Sequence, residues 1–289
     1  MHQVRSGVVR LAVTVRGDAS APTVVAVHGF PDTQAMWEPV ADLLVQAGLR
    51  VVTYDVRGAG ASTAPSTTDD YRADRLVDDL VAVVHDVQPD GSPVHLLGHD
   101  WGSVQTWESV LRVGSDARLR GRIASFTSIS GPPLFHYTRH LRRAWRRRDW
   151  RGFADQARRS WYVAAFQLPA VPELVFRRLG GRLQSTLNGS QRLGDDAHWA
   201  PTFAEDGAHG VNLYRANARG TASPRRTDVP VQLLVPLHDT FISPAVYDGL
   251  EEVAPDLLRV DLDAGHWVPR THPALVADHV SSFVASHGV

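Results

Sequence analysis

Short apolar runs rich in β-branched residues alternate along the chain with longer stretches whose apolar positions recur at helical spacing. That alternation predicts an α/β architecture with a mostly parallel sheet. Gly7 to Val15 and Thr23 to Val27 read as strands, the second running into His28-Gly29-Phe30-Pro31. Trp37 to Ala47 predicts a helix closed by Gly48, and Arg50 to Tyr54 the next strand. Ala73 to Val87 has helical periodicity, Val94 to Leu97 is a short buried strand, and a helix is expected from Ser103 to about Val113. Ile123 to Ile129 is another strand.

From about Pro132 to Pro224 the alternation stops, giving way to helical patterns, arginine and tryptophan without a convincing strand. It resumes after Asp228, with strands at Val229 to Val235 and Leu258 to Leu262 and a closing helix from Pro273 to Ser286. The expected organisation is therefore a core of residues 1–131 and 225–289, with a helical cap inserted at 132–224. No internal repeat or low-complexity linker interrupts it. The Asn188-Gly189-Ser190 sequon matters only in a secreted protein.

Composition narrows the classes. With 289 residues the chain can bury a sizeable core without disulfide or metal staples. The net charge of -1 gives no bulk electrostatic case for nucleic acid. Cysteine is absent, which removes a thiol nucleophile and a thiolate metal site. All 30 basic residues are arginine, a habit consistent with a GC-rich genome. No signal peptide or integral membrane segment is apparent, and a cytoplasmic location is the default expectation.

The chemistry begins at Gly98-His99-Asp100-Trp101-Gly102, between a buried strand and a helix. This is the frame of the G-x-S-x-G nucleophile elbow, with aspartate at the centre. Glycines at the flanks let strand and helix approach, and the helix N-terminus favours an anion. The competing reading is a turn with an N-capping Asp. Context favours the elbow. His28-Gly29-Phe30-Pro31 follows an earlier central strand, where the loop supplying an oxyanion donor belongs, so Phe30 and Trp101 would offer two backbone N–H groups. Asp239 follows the strand QLLVPL and His266 follows LLRVDLDAG, completing the order nucleophile, acid, histidine at strand ends. Asp263 competes with Asp239 for the acid, and His238 with His266, among 14 histidines.

These residues carry a resemblance that spans nearly the whole chain. HGFPD, YDVRGAGAS, GHDWGS, LLVPLHD and AGHW resemble the epoxide-hydrolase branch of the α/β-hydrolase fold, and the chain looks similar to the hydrolase module that some actinobacterial proteins fuse to a short-chain dehydrogenase. Whether it is free-standing or a fragment of such a fusion stays open. Gly58-Ala59-Gly60 lacks the third glycine of a dinucleotide fingerprint and reads as the loop after a strand.

The resemblance implies epoxide hydrolysis to a vicinal diol. Asp100 is the expected nucleophile, since a carboxylate is already ionised at neutral pH. His266 with Asp239 would activate water against the resulting ester. Tyr162 in SWYVAAFQ and Tyr214 in NLYR match the two cap tyrosines that hold the epoxide oxygen, with Tyr137 the main rival among six tyrosines. Phe30, Trp101, Tyr162, Tyr214 and Trp267 are the expected substrate contacts, around a small apolar epoxide, with no metal and no cofactor. Two alternatives remain: a haloalkane or haloacid dehalogenase using the same nucleophile, and a catalytically silent binding module. Against the first, Phe30 stands where haloalkane dehalogenases carry a side-chain donor, and the positions just after Asp100, Trp101-Gly102-Ser103-Val104, lack the arginines of haloacetate dehalogenases. A homodimer is an open expectation. The basic run from Arg139 to Arg159, with Trp145 and Trp150 interleaved, suits a lipid surface, but the favoured reading is a solvated helix face paired with local acids.

Overall fold

The computed structural model describes residues 1–194, 199–218 and 226–288. Among them, eight strands form one sheet in the order β1-β2-β4-β3-β5-β6-β7-β8. These are β1 (His2–Ser6), β2 (Val9–Arg16), β3 (Thr23–Val27), β4 (Arg50–Tyr54), β5 (Val94–His99), β6 (Ile123–Ile129), β7 (Val231–Pro236) and β8 (Leu257–Leu262). β1 and β2 pair antiparallel, as do β2 and β4; every other pairing is parallel. The central strands β3, β5, β6 and β7 are apolar along most of their length because both faces are covered.

The first strand expected from the pattern, Gly7 to Val15, is instead the second half of a hairpin. Gly7 sits in its turn at φ 56°, and β1 precedes it. β1 carries little hydrophobic signal because only Val4 and Ser6 face inward from this edge strand. β7 begins at Val231 rather than Val229, after Pro230, which has no N–H to give to a ladder.

Helices cover both faces. α1 (Glu38–Gln46) and, near the C-terminus, α10 (Pro273–Ser286) pack with Met36 and Trp37 against one face. α2 (Ala73–Val87) and α3 (Trp101–Val110) pack against the other, where Trp107 meets Phe126 edge-on. Among the described residues between β6 and β7 lie five helices: α4 (Leu134–Arg146), α5 (Trp150–Arg159), α6 (Trp161–Ala165), α7 (Val171–Gln191) and α8 (Phe203–Ala216). The boundary expected near residue 224 falls outside the described residues. α9 (Val268–Thr271) follows β8. The loop holding Gly58 and Gly60 is pinned by Asp55, which accepts from Ala61 N, and by Asp206 of α8, which accepts from Gly60 N at 2.9 Å.

Candidate active site

Parallel pairing brings the C-terminal ends of β3, β5, β7 and β8 to one edge of the sheet, and each contributes one part of the site. β5 ends at His99, and Asp100 turns into α3 at φ 53°, ψ -123°. This conformation is uncommon for a non-glycine residue and costs on the order of 1–3 kcal/mol. The flanking glycines make it sterically feasible: a Cβ on Gly98 would lie 2.6 Å from Ser103 Cα, and one on Gly102 would lie 2.0 Å from Val27 O. The turn therefore requires glycine on both sides of the aspartate.

The Asp100 carboxylate meets two sets of partners. Its Oδ1 accepts from Phe30 N at 2.8 Å, and Trp101 N also hydrogen-bonds the carboxylate. Its Oδ2 lies 3.7 Å from His266 Nε2. His266 Nδ1 meets Asp239 Oδ2 at 2.9 Å, while Asp239 Oδ1 accepts from Phe241 N at 2.8 Å and Ile242 N at 3.0 Å. All three side chains are withdrawn from solvent, Asp239 and His266 almost completely. The rivals are excluded by geometry. His238 and Asp263 pair with each other at 2.7 Å on the exposed surface, away from Asp100.

Burial and partners set the charge states. Desolvation pushes the Asp100 carboxyl up to about 6, against the opposing pull of His266 and the N–H groups of Phe30 and Trp101. Burial disfavours charged His266, but Asp239, its hydrogen bond and Asp100 outweigh it, and the imidazole sits above its ordinary value. Burial raises Asp239 as well, yet His266 and the two backbone donors hold it below the usual carboxylate range.

Two cavities adjoin Asp100. The larger, about 580 Å³, is lined by Phe30, His266, Trp267, Phe241 and the cap-side residues Tyr162 and Tyr214 among others. The smaller, about 140 Å³, lies on the Trp101 and Leu134 side. Asp100, Tyr162 and Tyr214 belong to the walls of both. The Tyr162 and Tyr214 rings pack edge to face with centroids 5.7 Å apart, and Tyr214 packs the same way against Trp101 at 5.0 Å. Tyr137, the rival, donates to Ser160 Oγ at 2.8 Å and lines only the smaller cavity. Trp101, an expected substrate contact, packs its ring edge-on to Tyr214 at 5.0 Å and lines the smaller cavity. Phe30 does line the larger one, its ring centroid 5.3 to 5.6 Å from Tyr214, Phe176 and Phe166.

Several supporting residues escaped the sequence reading. Asp32, fully buried, accepts from Trp267 Nε1 at 2.7 Å and faces Arg270 Nη1 at 3.5 Å. Arg270 in turn lies over the Trp199 ring at 4.7 Å. His99 Nε2 meets the carbonyl of His266 at 2.9 Å. Buried Gln156 of α5 bridges Phe241 O and Ser243 N, and Arg159 donates to Asp239 O. Arg159 is thus tied to the acid's loop rather than belonging to a solvated face. The Asp in HGFPD was the one available signal for Asp32; nothing local marks Gln156 or Arg159.

The fold and this geometry agree with what the chain resembles. Residues 22–273 match the alpha/beta hydrolase fold family. The "Probable oxidoreductase EphD" of Mycobacterium tuberculosis is 40% identical over 290 residues, covering 95% of this chain but 48% of that protein, so the chain spans about half the length of this relative. "Epoxide hydrolase A" of the same organism is 27% identical, covering 96% of this chain and 94% of that one. Among solved structures, a Bacillus megaterium epoxide hydrolase in complex with an inhibitor superposes with a TM-score of 0.82 at 22% identity, covering 98% of this chain and all of that one, a likeness in fold. An aspartate at the elbow, a histidine and acid at the ends of β8 and β7, and a match over most of the sequence lead to one statement: the chain belongs to the alpha/beta hydrolase fold family.

Proposed function

We propose that this protein is an epoxide hydrolase, converting an epoxide and water to a vicinal diol through a covalent ester on Asp100. The observation that carries the reading is the pair of tyrosines beside the elbow. Tyr162 and Tyr214, packed edge to face at 5.7 Å, share both cavity walls with Asp100. An epoxide oxygen leaves as a strongly basic alkoxide and requires a proton donor; a halide requires only N–H donors. Burial first, then the neighbouring acidic groups, push both phenols above 10, so they stay protonated and able to donate. Phe30 offers a halide no side-chain donor.

In the first step Asp100 Oδ2 attacks an epoxide carbon, the ring C–O bond breaks, and a tyrosine hydroxyl gives its proton to the oxygen. Oδ1, already held by Phe30 N, becomes the ester carbonyl oxygen, with the N–H of Trp101 also favouring negative charge on the group. His266 then removes a proton from water, and the water oxygen adds to the ester carbon. Negative charge develops on Oδ1, where the two N–H groups are in place to receive it. The acyl C–O bond breaks, and the departing alkoxide takes the proton from His266. The new carboxyl proton restores the tyrosine. Asp239 holds the imidazole in the tautomer this requires and stabilises its charged form. Residues 132–224 act as the cap that supplies both tyrosines and closes the apolar cavity.

The test is diol formation from aliphatic, aryl and fatty-acid epoxides by wild type, Asp100→Ala and Tyr214→Phe. Diol from wild type, abolished in Asp100→Ala and much reduced in Tyr214→Phe, supports the assignment. Halide release from haloalkanes without diol would assign a dehalogenase, and neither product a binding module.

A further inference from the structure

The outer surface of the helical segment combines exposed hydrophobic side chains with a large excess of positive charge. α7 packs Phe176 and Gly180 inward against α8. Its outward stripe, at helical spacing, reads Val171, Leu174, Val175, Arg178, Leu179 and Arg182. Leu174 is 55% exposed, and Trp161, the first residue of α6, is 69% exposed. Ordinary amphipathic helices place polar residues on that side. Val171, Val175 and Trp161 also line the 580 Å³ cavity beside Asp100. The exposed stripe is therefore continuous with the mouth of the cavity.

The charge is as uneven as the hydrophobicity. Residues 132–193 hold thirteen arginines and three acidic residues, a formal +10, so the rest of the chain carries -11 against an overall -1. The local acids expected to balance the arginines are few. Asp155 pairs with both Arg158 and Arg159, and Arg177 reaches Glu205 of α8. Arg142, Arg146, Arg178 and Arg182 form no ion pair with a described residue. Among the described residues no helix is long and apolar enough to cross a membrane, so contact with lipid would be at the surface.

We infer that this face docks peripherally on anionic lipid bilayers, with the α7 stripe and Trp161 entering the headgroup boundary and the surrounding arginines neutralising lipid charge. Aliphatic side chains interleaved with arginine suit a lipid interface, where both terms contribute; a nucleic acid would use only the charge. The surface is argued independently of the reaction. Its consequence, that an apolar epoxide dissolved in the bilayer enters the cavity directly, rests on the proposed function.

Flotation of the purified chain with vesicles needs no substrate and so stands apart from catalysis. Vesicles of phosphatidylcholine with phosphatidylglycerol, against phosphatidylcholine alone, are the probe. The expected result is recovery with anionic vesicles only, reversed by raising salt. Arg178→Glu/Arg182→Glu is expected to lower the partition coefficient by on the order of tenfold or more. Leu174→Gln/Leu179→Gln is expected to lower it at low salt as well, with the melting temperature of both variants near wild type. These four positions are exposed, so substitution leaves the core intact. Equal recovery with both vesicle types, no recovery with either, or anionic binding untouched by both variants would overturn the inference. So would a stable dimer dissolved by Leu174→Gln/Leu179→Gln without lipid binding, which would give the face to a second copy.

Discussion

His266 is held between two carboxylates, with Nδ1 2.9 Å from Asp239 and Nε2 3.7 Å from Asp100. The nearer acid orients the ring, and the farther separation leaves Nε2 turned toward the carboxyl group that would become the ester. Because Asp239 Oδ1 is occupied by the N–H groups of Phe241 and Ile242, its Oδ2 is fixed on the imidazole.

Asp239→Asn keeps an oxygen for those two N–H groups but loses the charge that stabilises imidazolium. We expect hydrolysis of the ester to slow by about 10²–10⁴-fold while ring opening continues. Intact-protein mass spectrometry during turnover should then reveal an accumulated adduct on the enzyme. A variant that is equally slow with no adduct would move Asp239 from the second step to the first.

Tyr214→Phe removes one of the two proposed donors to the epoxide oxygen while preserving the ring packing against Phe30 and Trp101. Single-turnover kinetics are expected to show ring opening slowed by about 10–10³-fold, Tyr162 remaining to donate, and Tyr162→Phe/Tyr214→Phe near background. Halide release, if any occurred, should be unaffected. Ring opening unchanged in the double variant would remove the tyrosines from the mechanism.

The pH profile follows from the directions of the shifts. Asp100 must be ionised to attack, so kcat/KM is expected to fall as pH drops through about 6. His266 must be neutral to accept a proton, and Asp239 favours its charged form, so kcat is also expected to fall on the acid side. The tyrosines must keep their protons and are held above 10, so no alkaline limb is expected below that. A pronounced fall between pH 8 and 9 would contradict their role as proton donors.

Asp32 supports the histidine loop from beneath. Asp32→Ala strands the Trp267 N–H and leaves the buried Arg270 guanidinium without its counter-charge. Urea unfolding is expected to register a loss of about 3–5 kcal/mol, and Asp32→Asn, which keeps an acceptor for Trp267, a smaller one. A loss under about 1 kcal/mol in the alanine variant would deny the cluster a structural role.

The parts legible in the sequence were those whose chemistry is local. The glycines around Asp100 announce a tight strand-to-helix turn, and β3, β4, β5 and β7 announce themselves by short, largely apolar runs between turns. Asp239 and His266 were placed by their position after strands, which the parallel pairing then brought together. What stayed illegible depends on contacts distant in sequence. β1 is an edge strand with two inward residues and hence no hydrophobic run. Gln156 looks like an ordinary polar helix residue until α5 packs on the loop after β7. Arg159 hides within a basic run, and only the fold distinguishes it from neighbours that face solvent.

The central claim, a covalent ester on Asp100, is tested most directly by one turnover in water enriched in oxygen-18, with enzyme in excess over epoxide. If Asp100 attacks the epoxide and water attacks the ester carbon, the new diol oxygen comes from the carboxylate and the heavy oxygen remains in the peptide containing Asp100. Mass spectrometry should find that peptide labelled and the diol unlabelled. A labelled diol with an unlabelled peptide would mean that water opens the epoxide directly, and would contradict the account.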